Sequence, residues 1–574
     1  MKRTAANLSG ARQLVVGIVI LLMLLVLMGR VMSLQLLDSE RGASFLQQQG
    51  SVRSVRSTEI PAHRGMITDR HGEPLAVSTP VISLWVNPSL LAGSARIPEL
   101  AAALELDAEA LAARIEQHRG RQFIYLKRHM MPMAARSVIE QRFPGVQGQR
   151  EYRRYYPAGE VTAQLIGITN VDDRGIEGLE LAFDQWLAGS PGLKQYIKHL
   201  RGDAVRDIGE LRAAQPGKDI ALSIDLRLQH ALYRVLEKAV TEFNASAGTV
   251  VTLDSRTGEV LAMVNFPSYN PNRRGNVQAG HGRNRAMTDM MEPGSTIKPF
   301  TLAAALGTGR YAMETVIDTS PGRIRVGPKV LPDPVNYGAL TVDQVLQKSS
   351  QVGVTKIALD VGHEPLWDLL QRLGIGDDTG TGFPGESMGL LPVRNRWRPI
   401  EQATLAFGYG LTVTPLQLAR AYTIFANNGA LVPVSLLRLD PEERPAGEPV
   451  ISAAIAQQLL ASLEKVTTTY GTGSRARVQG YAVAGKTGTV HKVGSQGYED
   501  SRYMALFAGI APANDPRLIT VVMVDEPKGR VYQGGTVAAP LFAASVRQAL
   551  RLLHIAPQEA AVVAAAATAP GRVL

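Results

Sequence analysis

The chain has 574 residues, no cysteine and a formal net charge of +10. That length exceeds what one hydrophobic core serves and predicts two or three domains. The lack of cysteine excludes disulfides, thiol catalysis and cysteine-ligated zinc, and with no Lys/Arg run beyond the amino terminus the positive balance does not predict nucleic-acid binding.

Lys2, Arg3 and Arg12 precede an apolar run over residues 14–28, which Arg30 interrupts and residues 31–37 extend. The stretch is long enough to cross a bilayer. A signal peptide is the rival reading, but no small-residue cleavage site follows, so the sequence predicts an uncleaved single-pass anchor over 14–37. Basic residues without acidic ones ahead of it predict a cytoplasmic tail over 1–13. Residues 38–56 are polar and read as a stalk.

Residues 57–217 are mixed. The run Arg64-Gly65-Met66-Ile67-Thr68-Asp69-Arg70-His71-Gly72 reads as strand and turn, and residues 97–119 carry helical spacing of Leu and Ala. A glycine-rich stretch over 175–180 leads into a short amphipathic helix ending near Leu187. Nothing here has metal-ligand spacing, so the region reads as a scaffold or partner surface.

From residue 218 the texture changes. Residues 219–224 alternate like a strand, and 226–243 have helical periodicity. Two β-rich runs, 248–253 and 259–266, flank the hairpin signal Asp254-Ser255-Arg256-Thr257-Gly258. Helical segments follow over 295–306, 342–359 and 416–427, then strand-like runs over 482–484, 504–510 and 519–524. Strands at both ends and helices between them predict an α+β domain over 218–556, one antiparallel sheet with helices on its faces. The tail over 557–574, rich in Ala and Val with no partner face, reads as disordered.

Glu292-Pro293-Gly294-Ser295-Thr296-Ile297-Lys298 sits at a helix start. Ser295 and Lys298, three apart, share a helical face. A serine hydroxyl becomes a nucleophile when a neighbouring base takes its proton, and a lysine serves once burial and a second cation lower its pKa. Alone the pair is also consistent with a plain helix cap. Two further elements sharpen it. Lys348-Ser349-Ser350-Gln351-Val352-Gly353 lies in the second helical region, with Ser349 able to relay a proton. Gly485-Lys486-Thr487-Gly488-Thr489 terminates a strand-like run, where Lys486 supplies the second cation, the strand edge pairs with an extended peptide, and the Thr489 amide points into an oxyanion site. A competing motif overlaps the last element: Gly480-Tyr481-Ala482-Val483-Ala484-Gly485-Lys486-Thr487 fits a phosphate-binding loop letter for letter. Such a loop needs an apolar strand before it and a helix after its lysine, whereas residues 474–479 are polar and Gly488, Gly494 and Gly497 crowd the next stretch.

At these three elements the sequence resembles the penicillin-binding transpeptidases, whose motifs are serine-x-x-lysine, serine-x-asparagine and lysine-threonine-glycine. Asn284-Arg285-Ala286, Gly408-Tyr409-Gly410, Thr414-Pro415-Leu416-Gln417 and residues 532–540 are similar to the class B, division-type members. Arg64-Gly65 with Asp69-Arg70 and Gly72, then Arg154, Tyr156-Pro157 and Gly159, resemble that class's non-catalytic pedestal. The resemblance covers about residues 14–550. It implies a five-stranded antiparallel sheet with helices on both faces, an elongated mixed pedestal over 57–217, and an enzyme of the inner membrane whose catalytic domain is periplasmic. It implies Ser295 as nucleophile toward D-alanyl-D-alanine stem peptides, Lys298 as base, and Ser349 and Lys486 as proton relays. Substrate contacts would come from Ser350, Gln351, Thr487, Gly488, Thr489 and Tyr409, and an oxyanion site from the Ser295 and Thr489 amides. β-Lactams would acylate Ser295. A membrane glycan polymerase and division proteins are the implied partners, with no metal or organic cofactor. One departure stands out: Gln351 replaces the usual asparagine. It points to altered turnover and drug affinity, or to an alternative role as a catalytically impaired scaffold or wall sensor. Minor hydrolysis stays open, since water and amine compete for one acyl-enzyme, and no glycosyltransferase motif precedes residue 220.

Overall fold

The computed structural model describes residues 5–36, 55–198, 204–275, 278–443, 445–494 and 497–557. The stalk up to residue 54 and the tail after Pro557 lie outside these residues. The chain divides into two compact units, residues 1–63 with 189–217 and residues 64–188 with 218–574.

The first unit opens with α1, Ala5–Leu36. Within it the 23 residues Gly10–Met32 are long and apolar enough to cross a membrane. Its leucines, valines and isoleucines are exposed all round, an arrangement that lipid satisfies and water does not. The same unit holds a three-stranded antiparallel sheet of Val55–Ile60, Gly192–Lys198 and Ala204–Arg212, with Gly192–Lys198 in the middle.

The second unit begins with a sheet built on the long strand Pro74–Val86, which pairs with Ile67–Thr68, Ile124–Met130 and Val146–Tyr155. The strand-and-turn reading of 64–72 holds: after Ile67–Thr68 the Asp69 carboxylate accepts the His71 and Glu73 N–H groups. The single helical segment over 97–119 becomes two helices, Ile97–Leu104 and Ala108–Gln117. Glu105 at φ 56 turns the chain and Asp107 caps the second helix through the Ala110 N–H. Leu84, Leu100, Leu104 and Ile115 form a separate core there.

Ile67–Thr68 also pairs, in parallel, with Ile220–Ala221. The strand expected over 219–224 shrinks to those two residues, because Asp225 already caps the next helix by accepting the Arg227 and Leu228 N–H groups. That helix is α2, Leu226–Glu242. The catalytic segment then follows as β1 Ala247–Asp254, β2 Val260–Phe266, α3 Lys298–Gly307, α4 Val342–Lys348, α5 Gln351–Val361, β3 Ala484–Gly494, β4 Gly497–Ala511, β5 Leu518–Asp525 and α6 Ala538–Leu552. The strands form one antiparallel sheet in the order β2-β1-β5-β4-β3, as the resemblance implies.

Successive side chains on a strand point to opposite faces, and both faces here are covered. Val250, Phe507, Val522 and Val524 pack with α2 and α6. Val251, Leu506, Ile510, Val521 and Met523 pack on the other side with α3 and its neighbours. That double burial is why the central strands read as unbroken apolar runs. Thr249, Thr252 and Thr520 are the polar exceptions: the Thr249 hydroxyl donates to Val264 O at 2.8 Å, and the Thr252 and Thr520 hydroxyls satisfy each other at 3.0 Å.

Three further sequence expectations are corrected in the catalytic segment. The lysine motif does not terminate the strand-like run over 482–484 but begins β3, which runs on to Gly494. Gly485 and Gly488 are sites of close approach: a Cβ at 485 would lie 2.6 Å from the Phe507 ring, and one at 488 would meet Pro293 O and Thr296 Cγ2 at 3.1 Å each. The helix expected over 342–359 is broken into α4 and α5 by Ser349, at φ 57, with Ser350 as the cap of α5. The segment over 416–427 likewise splits into Pro415–Ala421 and Thr423–Ala426.

Candidate active site

Ser295 lies on a single 3-10 turn, Gly294–Ile297, that feeds directly into α3. The turn is clamped from several sides. Gly294 has φ +54, and a Cβ there would sit 2.4 Å from Val490 of β3. A Cβ on Gly408 would fall 2.1 Å from the Gly294 carbonyl oxygen, so neither position accepts a side chain. The buried Tyr422 hydroxyl donates to Thr296 O at 2.9 Å, and Thr301 Oγ1 to Ala406 O at 2.7 Å. Ser295 is half-buried, and its hydroxyl has no hydrogen-bond partner among the described residues.

Lys298 and Lys486 are both buried, at 2 % and 0 % exposure, and they converge on one residue. Lys298 Nζ donates to Ser349 O at 2.5 Å and to Ser349 Oγ at 3.2 Å. Lys486 Nζ reaches Ser349 Oγ at 2.9 Å and Thr487 O at 3.2 Å. The break between α4 and α5 makes this meeting possible, because the left-handed conformation of Ser349 turns both its hydroxyl and its carbonyl toward the amines. Burial drives the Lys298 ammonium down to about 7, against the attraction of the Asp333 carboxylate. Burial, and then the charge of Lys298, push Lys486 well below the usual lysine range. Two ammonium ions in one dry pocket repel, so the pair readily holds a neutral amine near neutral pH.

Asp333 is a residue that sequence reasoning missed. It follows the strand Lys329–Pro332 and is buried against the start of α5. Its Oδ1 accepts the Gln351 N–H at 2.5 Å and the Val352 N–H at 3.2 Å, and its Oδ2 accepts the Ser350 hydroxyl at 2.5 Å. A carboxylate at a helix amino terminus satisfies otherwise orphaned donors and complements the dipole, and here it fixes the helix end from which Ser349 projects. Its only sequence signal is an acid between two prolines, Pro332 and Pro334.

The remaining candidates divide. Ser350 is fully buried, its hydroxyl occupied by Asp333 and by the Gly353 N–H, and it does not reach the lysines. Gln351 is half-buried at the first position of α5, and its side-chain amide makes no hydrogen bond among the described residues. β3 is an edge strand of the sheet. Thr487 Oγ1 lies 3.1 Å from Thr472 Oγ1, while Thr489 Oγ1 accepts the Gly534 N–H at 2.8 Å. Tyr409 packs edge-on to Tyr498 at 5.7 Å, and the Tyr498 hydroxyl and the Gly410 N–H both bond Glu292 Oε1. The phosphate-loop reading fails on the fold: Lys486 is a buried strand residue and β3 runs on where a helix would be required.

The family model described as the penicillin binding protein transpeptidase domain matches residues 248–547, and the penicillin-binding protein dimerisation domain matches residues 59–222. The chain is 44% identical over 532 residues to the probable peptidoglycan D,D-transpeptidase PbpC of Pseudomonas aeruginosa, covering 92% of this chain and 93% of that one. It is 43% identical to the peptidoglycan D,D-transpeptidase FtsI of Escherichia coli K12, covering 94% and 91%. Among solved structures, penicillin binding protein 3 of Mycobacterium tuberculosis complexed with aztreonam is similar at 28% identity and a TM-score of 0.67, covering 87% of this chain and 98% of that one.

Proposed function

Because this chain belongs to the penicillin-binding protein transpeptidase family, as a peptidoglycan D,D-transpeptidase and β-lactam target, we propose that it cross-links stem peptides through an acyl-enzyme on Ser295. The observation that carries the residue assignment is the bridge at Ser349, whose hydroxyl touches both buried amines.

In this reading the neutral amine of Lys298 takes the Ser295 proton as Oγ attacks the penultimate D-alanine carbonyl. The Ser295 and Thr489 amides hold the oxyanion. Collapse of the tetrahedral intermediate breaks the amide bond, and the departing D-alanine nitrogen receives its proton through Ser349 from the lysine pair. The side-chain amine of a second stem peptide then attacks the ester and restores the Ser295 hydroxyl. The donor peptide lies along the edge of β3, its carboxylate held by Lys486, Thr487 and Thr489, with Gln351 and Tyr409 at its flanks and Gly488 leaving room for its backbone. Gln351 offers the amide of an asparagine one methylene further out, and intact, converging Lys298, Ser349 and Lys486 favour a working enzyme over a silent scaffold.

The apolar α1 fits a single-pass anchor. We assign its amino terminus to the cytoplasm, from Lys2, Arg3 and Arg12, and the catalytic segment to the periplasm. Residues 57–217 act as a pedestal and 218–556 as the transpeptidase domain. We further assign the enzyme to septal wall synthesis beside a membrane glycan polymerase and division proteins, a reading that the division-type resemblance supports.

The test is covalent labelling of the full-length protein with a fluorescent penicillin, followed by peptide mapping. Label is expected on the peptide carrying Ser295 and is lost in Ser295→Ala. Label on another peptide, or none on a folded protein, overturns the assignment.

A further inference from the structure

A cavity of about 470 Å³ in the second unit is lined by Arg128, Arg153, Arg154, Asp173 and Arg274, among others, and by none of the proposed catalytic residues. Three lining side chains carry buried polar atoms with no hydrogen-bond partner among the described residues: Nη2 of Arg154, Oδ1 of Asp173 and Nε2 of His129, the last lying 3.5 Å from the Glu151 carboxylate. Arg154 is 4 % exposed and cannot turn to find one. Its Nε is fixed on Glu180 Oε1 at 2.6 Å and its Nη1 on Ser78 Oγ at 3.1 Å. Arg274 is braced by Nε on Pro271 O at 2.8 Å and Nη1 on Thr169 O. Arg128 is neutralised by Glu151 and Asp172, whereas the exposed Arg153 has no ion pair among the described residues.

An orphaned donor on a cation and an orphaned acceptor on an acid, in one cavity, select a particular ligand chemistry. A carboxylate or a sulfate brings acceptors only. A singly protonated phosphate brings oxygens for the guanidinium and one O–H for the carboxylate. For a monoester that O–H is lost at a pKa of about 6, close to the value of about 6 to which burial raises Asp173, so the two groups can share the proton. The cavity wall is also tied to the catalytic segment. Asn272 exchanges two hydrogen bonds with the Tyr156 backbone, at 3.0 and 2.9 Å, and lies in the connection from β2 toward Ser295.

We infer that this cavity binds a phosphate group, free or as a monoester, between Arg154 and Asp173, with Arg153 and Arg274 completing its cationic wall. The test is calorimetric titration of the full-length enzyme in detergent micelles with inorganic phosphate, with sulfate at matched ionic strength as the control. Phosphate is expected to bind saturably at one site, with sulfate roughly tenfold weaker or more. Arg153→Gln, a surface change with no internal bond to lose, weakens phosphate by about tenfold, and Arg153→Lys recovers most of it. Asp173→Asn brings sulfate up to phosphate, because an amide N–H donates where the carboxylate accepted. Binding of phenyl phosphate as tightly as phosphate points to an esterified ligand, and exclusion of it to the free ion. Absence of saturable phosphate binding, equal affinity for sulfate in the unmodified enzyme, or an unchanged affinity in Arg153→Gln overturns the site.

Discussion

Arg64 and Arg154 are buried almost as deeply as Lys298 and Lys486, yet the two pairs keep their charge in opposite ways. Glu180 stands between the arginines, taking Arg64 Nε at 2.8 Å on one oxygen and Arg154 Nε at 2.6 Å on the other, and Asp184 adds a second partner to Arg64 at 2.7 Å. Burial works against the Arg64 charge, but Glu180 and Asp184 outweigh it and raise its pKa. Among the described residues the lysines have only hydroxyl and carbonyl oxygens within hydrogen-bond reach. The Asp333 carboxylate, whose charge favours the Lys298 ammonium, is spent on the start of α5. Compensated cations stay charged and hold a scaffold, while uncompensated ones give up a proton and become bases.

The contrast can be broken most severely at Lys298. In the proposed mechanism, Lys298→Ala removes the base and lowers the rate of penicillin acylation by about a thousandfold. The rate of label incorporation measures it, and a rate near that of the unmodified enzyme would transfer the role elsewhere. At the other cluster, Glu180→Ala leaves two buried guanidinium groups without their shared carboxylate and should cost about 3–5 kcal/mol of stability. The urea midpoint reports it, and a shift too small to measure would mean the arginines find other partners. Asp333→Asn removes one charge from the α5 terminus and keeps the shape. A loss of about 1–2 kcal/mol is expected by the same measurement, together with slower acylation as Ser349 loosens. Unchanged stability and rate would leave Asp333 without a positioning role.

Much of the site was legible because its chemistry is local in sequence. The serine and lysine of the first motif share one helical turn, and the glycines around Lys486 mark close packing. The hidden part depends on distant pairing. Nothing in residues 342–359 announces that Ser349 adopts φ 57, since their helical periodicity continues across it. The carboxylate that fixes the break comes from Asp333, 17 residues before Ser350. The start of β3 was misplaced for a related reason: Gly485 has poor strand propensity in isolation and is required because the Phe507 ring and the Ala508 carbonyl oxygen lie against it. In the pedestal, Arg64 and Arg154 stand out as motif members, but their union on Glu180 spans 116 and 26 residues.

The central claim is that Ser295 is activated by a lysine held neutral. Its most direct test is the pH dependence of the acylation rate of the full-length enzyme, followed with a chromogenic β-lactam. A lysine lowered to about 7 must lose its proton to act, so the account predicts a rate that falls about tenfold per pH unit well below that point and levels off above it. A rate unchanged across that range, or one still climbing toward the ordinary lysine value near pH 10, would contradict it.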